Sequence, residues 1–242
     1  MKEQIHKLLD QLKLKGMQER FDETIAQAQK RNRTTHWVLK TLLTEEYRYR
    51  QERSQANRLK QAKIPWDWTL ETFPFDKQPG VSAHQIRELA NLDFMDRCDN
   101  LVFIGEPGRG KTGIAIGLLR QALIDGYNGR YYSAQQLIEE LYASLADNST
   151  IRLLNKLARY DLLLIDELGY LTLHDEQVNA FFKLLDQRYA KRSTIITTNL
   201  DYPEWYELFK RRSLVDAMLD RLQHHCITIK IDGPSLRAPK EE

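Results

Sequence analysis

Gly105-Glu106-Pro107-Gly108-Arg109-Gly110-Lys111-Thr112 decides the fold of this chain. The eight residues fit G-x-x-x-x-G-K-[ST] without a mismatch. The apolar run Leu101-Val102-Phe103-Ile104 leads in and predicts a buried strand. Ile114, Ala115, Ile116, Leu118 and Leu119 lead out and predict a helix. Strand, glycine-rich loop and helix in that order make a phosphate-binding loop. Glycines let the backbone wrap closely around phosphate with its N–H groups pointing inward, and the helix N-terminus adds partial positive charge. Lys111 is expected to reach the β- and γ-phosphates, and the Thr112 hydroxyl to hold Mg²⁺.

Leu162-Leu163-Leu164-Ile165 is a second apolar run, closed by Asp166-Glu167. A central strand of a parallel sheet is buried on both faces and reads as continuous hydrophobics. Ligands in open α/β sheets bind at the carboxyl ends of such strands. Asp166 is therefore expected in the Mg²⁺ shell, largely through water, and Glu167 is placed to orient and deprotonate an attacking water. Ser193-Thr194-Ile195-Ile196-Thr197-Thr198-Asn199 predicts another strand. If it neighbours the Leu162 strand, the Asn199 amide lies near the γ-phosphate; otherwise Asn199 is a strand-end turn residue.

The 242 residues suffice for one α/β domain and a smaller module. A charged content of 29% beside 42% hydrophobic residues suits a soluble globular chain. No run approaches a membrane span, and the N-terminus carries no signal-peptide pattern. Cys98 and Cys226 have no metal or redox spacing. A cytoplasmic protein without a disulfide is the expectation. The adjacent His224 and His225 read as surface or packing residues. Net charge is +2, but residues 1–64 carry 15 Lys/Arg against 8 Asp/Glu, a net +7, leaving −5 for the remainder. That asymmetry points the N-terminal quarter toward an acidic partner.

Residues 1–64 contain no proline and show helical spacing at Ile5, Leu8, Leu9 and Leu12 and at Met17, Phe21, Ile25 and Ala28. Gly16 suits a helix end. Thr34 or Thr35 suits the cap of a third helix. That helix continues into Arg48, Arg50, Arg53, Arg58, Lys60 and Lys63, with Tyr47 and Tyr49 interleaved. The run is either a solvated helix face or a nucleic-acid contact. Residues 65–80 form a Pro- and aromatic-rich linker, with Trp66, Trp68, Phe73 and Phe75 expected to pack on the following domain rather than to hold a base. An alternating β/α pattern fills 81–242 and predicts five strands.

In these segments the chain resembles the AAA+ ATPases of the IstB/DnaC type, helpers of insertion-sequence transposition and loaders of replicative helicases. The resemblance covers nearly the whole chain. It rests on Gly105–Thr112, Leu162–Leu171, Thr197-Thr198-Asn199-Leu200, Leu219-Asp220-Arg221-Leu222, Leu12–Met17, Arg58–Pro65 and Thr69–Phe73. The insertion-sequence branch is the closer in pattern, through Asp166-Glu167-Leu168-Gly169-Tyr170-Leu171 and the N-terminal segments. The resemblance implies an α/β AAA+ P-loop ATPase with a parallel five-stranded sheet behind a small all-helical N-terminal domain. It further implies Asn199 as the sensor 1 residue, Arg221 as an arginine finger offered to a neighbour's ATP, and Arg237 as a sensor 2 arginine in its own subunit. The initiator-type helical insertion would fall around Ser133–Tyr160. Implied partners are ATP, Mg²⁺, double-stranded DNA, a transposase, and further copies in an ATP-dependent oligomer that acts on target DNA.

Three departures from the family pattern stand out. Gly113-Ile114 replaces a His-Leu pair. Glu106 replaces a proline and is expected to weaken nucleotide affinity modestly. Pro234 and Leu236 depart from the pattern around Arg237. The rivals are a helicase loader of the DnaC kind and a non-hydrolysing nucleotide switch. A small-molecule kinase lacks a recognisable acceptor pocket and lid, and a GTPase lacks an Asn-Lys-x-Asp segment.

Overall fold

The run before the phosphate loop is strand β1, Asn100–Ile104, and every one of its residues is buried. It is an interior strand of a five-stranded sheet, next to one edge. β4, Ser193–Thr198, pairs with it on one side and β5, Cys226–Lys230, on the other. β3, Leu162–Leu168, lies beyond β4, and β2, Gly129–Ser133, forms the far edge. All pairings are parallel, in the order β2-β3-β4-β1-β5. Strands buried on both faces require apolar residues at consecutive positions, which is why β1 and β3 were legible as unbroken runs.

The computed structural model describes residues 2–169, 171 and 173–237. The chain divides into two compact units, the first ending at Arg58 and the second beginning at Leu59. The first unit is helical: α1 (Lys2–Gln11), α2 (Lys15–Lys30) and most of α3 (Thr35–Ala62). Thr34 caps α3 by accepting the backbone N–H of Trp37. The expected helix end at Gly16 is not there. Lys13, with φ 56°, makes that turn, and Gly16 lies inside α2. A Cβ on Gly16 would stand 2.7 Å from the carbonyl oxygen of Glu45 and from Cβ of Tyr49, so this glycine permits a close helix–helix approach. Lys63, with φ 52°, follows the last turn of α3, two residues before Pro65.

In the second unit, α4 (Ala83–Leu89), α5 (Asp93–Asp96) and α6 (Lys111–Ile124) belong with one face of the sheet. The opposite face packs against α7 (Ala134–Ala146), α8 (Thr150–Ala158), α9 (Asp175–Arg188), α10 (Trp205–Phe209) and α11 (Arg212–His224). Along β1, Leu101 and Phe103 join the first layer and Val102 and Ile104 the second, the alternation that the pleat imposes. Ser82 caps α4 and Ser133 caps α7. Arg188 at the end of α9 is fully buried. Its guanidinium donates to the Leu157 and Tyr160 carbonyls at the end of α8, and to the Ser193 carbonyl and Thr194 Oγ1 of β4. Burial pushes its pKa down to about 9. Carbonyl groups at a helix C-terminus offset part of that desolvation.

Candidate functional site

The loop after β1 turns where its glycines allow. Gly108 and Gly110 have φ 82° and 90°, backbone that side chains rarely adopt. A Cβ on Gly105 would lie 2.5 Å from the carbonyl oxygen of Ile231. Gly110 caps α6, so the helix N-terminus opens directly at the loop. Lys111 is the first residue of α6, and its ammonium donates to the carbonyls of Gly105 (2.6 Å) and Glu106 (2.9 Å). Desolvation pulls its pKa below the ordinary lysine value. Asp166 and Glu167 oppose that shift, while Arg109 and Arg237 add to it.

Asp166 is almost fully buried and held by three hydroxyls. Thr112 donates to Oδ1 at 2.9 Å, Thr197 to Oδ1 at 2.5 Å, and Tyr131 to Oδ2 at 3.1 Å. Burial, with the Asp166 carboxylate adding to it, pushes the Tyr131 hydroxyl far above its usual range. Glu167 follows with φ 61°, at a register shift between β3 and β4 that falls between Ile165 and Leu168. A non-glycine residue in that region costs on the order of 1–3 kcal/mol, and such strain collects at functional sites. The bulge turns consecutive carboxylates apart: Asp166 stays buried and Glu167 is exposed at the wall of the cavity.

Asn199 follows β4, and β4 lies between β1 and β3. The condition for its approach to the phosphate loop is therefore met. Its Oδ1 is buried and has no hydrogen-bond partner among the described residues. Gly169 makes room for it, since a Cβ there would stand 2.4 Å from that oxygen. A buried acceptor without a donor calls for a group that the described residues do not supply.

Gly108, Gly110, Lys111, Thr112, Glu167 and Asn199 border one cavity of about 450 Å³. Its wall includes Lys111, Thr112, Glu167, Asn199 and Arg237, with Trp68, Phe73 and Pro74 from the linker. The linker belongs to the second unit itself: Phe73 and Phe75 pack against its core, whereas Trp66 and Trp68 are exposed. Phe73 and Trp68 also reach the cavity, which the sequence reading disfavoured. Glycine explains their closeness: a Cβ on Gly110 would stand 2.7 Å from the Phe73 ring. At Gly113, the departure from the family pattern, a Cβ would meet Phe73 and Trp68 only at ordinary contact distance. The loop, Lys111, Thr112 and Asp166 suit a polyphosphate with a divalent cation: glycine-lined backbone, a helix N-terminus, one ammonium, and a hydroxyl–carboxylate pair.

Glu106 pairs with Arg109 at 2.7 Å, and Arg109 also reaches Asp232. The acid beside the loop thus has a local counterion, which it shares with Asp232. Arg221 stands outside this cavity. It pairs with Asp186 at 3.1 Å and lies over the Tyr189 ring. Tyr170 lies outside the described residues. The basic run does not form one face of α3. Arg48 pairs with Glu45 and Arg50 with the buried Glu46, both on the same helix. Arg58 donates to Ser54, and Lys63 lies past the helix end. Arg53 and Lys60 are exposed. At about 100° per residue, position 48 points away from 50, 53 and 60, and position 58 from 53 and 60. No helix among the described residues is long and apolar enough to cross a membrane.

A family model described as IstB-like ATP binding protein matches residues 7–242. An ATP-binding protein of insertion sequence IS21 from Pseudomonas aeruginosa is 38% identical over 230 residues, covering 95% of this chain and 87% of that one. Its counterpart in insertion sequence IS5376 of Geobacillus stearothermophilus is 35% identical over 237 residues, covering 98% and 94%. Among solved structures, the DnaC helicase loader matches with a TM-score of 0.60 at 25% identity, over 71% of this chain and 100% of that one. The DnaI structure matches with a TM-score of 0.60 at 17% identity, over 69% and 92%, a likeness of fold.

Proposed function

The chain belongs to the family of IstB-like ATP-binding proteins, with the α/β fold of P-loop ATPases, and on that premise we propose that it binds and hydrolyses ATP to assemble on DNA for a transposase. The observation that carries this reading is the convergence of Lys111, Thr112, Glu167, Asn199 and Arg237 on one cavity. Lys111 would exchange its two backbone carbonyls for the β- and γ-phosphates. Thr112 and Asp166 would hold Mg²⁺, which neutralises phosphate charge. Glu167 would take the proton of the attacking water, and Asn199, whose Oδ1 has no partner among the described residues, would orient that water. The phosphorus–oxygen bond to ADP breaks as the new one forms, and phosphate leaves.

Arg221 supports a role between subunits because it stands outside its own cavity. An arginine supplied by a neighbour makes hydrolysis depend on assembly, and ATP then favours the assembled state by binding it preferentially. The basic excess of residues 1–64 favours DNA as the partner of the N-terminal helices. Steady-state phosphate release, with and without duplex DNA, tests the reading. Wild-type protein should turn over ATP and Lys111→Ala should not. Equal rates in the two proteins refute it. The likeness to the DnaC helicase loader keeps one alternative, a loader that grips a helicase. Binding to a purified replicative helicase rather than to a transposase would favour that alternative.

A further inference from the structure

Gln78 follows one turn of 3₁₀ helix, Phe75–Lys77, and has no exposed surface. A buried carboxamide is stable only when its polar groups are paired. Here one side chain joins three separate backbone segments. Nε2 donates to the carbonyl of Arg109 in the phosphate loop at 3.0 Å and to the carbonyl of Pro234 at 2.9 Å. Oε1 accepts the N–H of Gly80 at 3.3 Å. The reverse amide orientation would set Oε1 against two carbonyls, so the surroundings fix which way the group points.

Two glycines make room for it. A Cβ on Gly233 would lie 1.3 Å from Oε1 of Gln78, and a Cβ on Gly80 would lie 2.2 Å from the nitrogen of Gly233. The chain on either side of Gly233 is stitched to the loop by two further bonds. Leu236 N–H donates to the Gly108 carbonyl at 2.8 Å, and the Arg109 guanidinium to the Ile231 carbonyl at 3.1 Å. Arg237 comes next and lines the cavity. Gln78 itself does not.

We propose that Gln78 is a positioning residue: its carboxamide locks the segment carrying Arg237 to the phosphate loop and so sets how that arginine meets the nucleotide. The proposal rests on the reading of the cavity as an ATP site. Truncating Gln78 leaves the Arg109 and Pro234 carbonyls without their shared donor, and the two segments lose their common reference.

The test is equilibrium binding of a fluorescent ATP analogue with Mg²⁺ to the full chain. Wild-type binding and its loss in Lys111→Ala check the site itself; equal binding by these two would refute the ATP site, separately from the role of Gln78. Given that control, Gln78→Met keeps the volume and removes the hydrogen bonds. It should weaken binding about tenfold. Arg237→Ala should weaken it similarly, and the double variant should be within about twofold of Arg237→Ala, because the two changes disable one device. Wild-type affinity in Gln78→Met, or losses that multiply in the double variant, overturns the proposal. If circular dichroism shows that Gln78→Met does not fold, Gln78→Asn replaces it. That variant keeps an amide but is too short to span both carbonyls, and the same comparison with Arg237→Ala applies.

Discussion

Thr197 on β4 donates to Oδ1 of Asp166 on β3 at 2.5 Å. The same Thr197 oxygen accepts the backbone N–H of Glu167 at 2.9 Å. One hydroxyl therefore fixes both members of the acidic pair, across the strand boundary where the register shifts.

Thr197→Val preserves shape and removes that bridge. It leaves the Glu167 N–H unsatisfied and takes one donor from a buried carboxylate, a loss of about 1–3 kcal/mol. The melting midpoint should fall and ATP hydrolysis should drop about ten- to a hundredfold. Thr197→Ser should restore both. Equal hydrolysis in the valine and wild-type proteins would remove Thr197 from any positioning role.

Glu167→Gln keeps the side chain's size and its strained backbone but cannot take a proton. The variant should bind ATP normally and hydrolyse it about 10²–10⁴-fold more slowly. ATP-bound assemblies on DNA should then persist, visible as slow dissociation after dilution. Rapid turnover in this variant would assign water activation elsewhere.

The parts of the site that follow consecutive sequence rules were legible beforehand. β1, the loop and the start of α6 follow from apolar run, glycine spacing and helix pattern in one stretch, and the acidic pair follows from the end of a second apolar run. What escaped were contacts set by tertiary approach. Thr197 reads as an ordinary β-branched strand residue, although a hydroxyl in a buried run beside an acid-terminated strand signals a need for a partner. Gln78 sits in an irregular linker, where no periodicity reports burial. Gly16 carries the same composition signal whether it ends a helix or lets two helices approach, and only the packing against Glu45 and Tyr49 distinguishes them. Arg188 looks like one more surface charge until α8 delivers its carbonyl groups.

Lys111 gives the site a pH dependence with a definite sign. Desolvation lowers its pKa in the nucleotide-free protein, and bound phosphate should raise it again. Affinity for ATP is then full below the nucleotide-free pKa and declines as pH rises through it, at lower pH than for an exposed lysine. Calorimetry at alkaline pH in buffers of different ionisation heat should show proton uptake on binding. Binding without proton exchange across that range would contradict the assignment.

DNA affinity should fall steeply with salt, because phosphate contacts release counterions. Arg53→Glu and Lys60→Glu alter exposed basic residues of α3, whereas Arg48 and Arg50 are already paired within the helix. Each reversal should weaken DNA binding and reduce the slope of log K against log salt by about 1. An unchanged slope would assign these charges to a protein partner.

The dependence of hydrolysis on a neighbour's arginine is the central claim, and a mixing assay tests it most directly. Arg221→Ala keeps its own nucleotide cavity and lacks the finger; Lys111→Ala lacks the cavity's ammonium and keeps the finger. Each alone should be inactive, with losses on the order of 10³–10⁵ expected where a finger is removed. Mixed, they can form interfaces that combine one intact cavity with one intact arginine. Phosphate release should reappear in the mixture. If light scattering shows co-assembly and no activity returns, Arg221 does not act across a subunit boundary and the assembly-coupled mechanism is wrong.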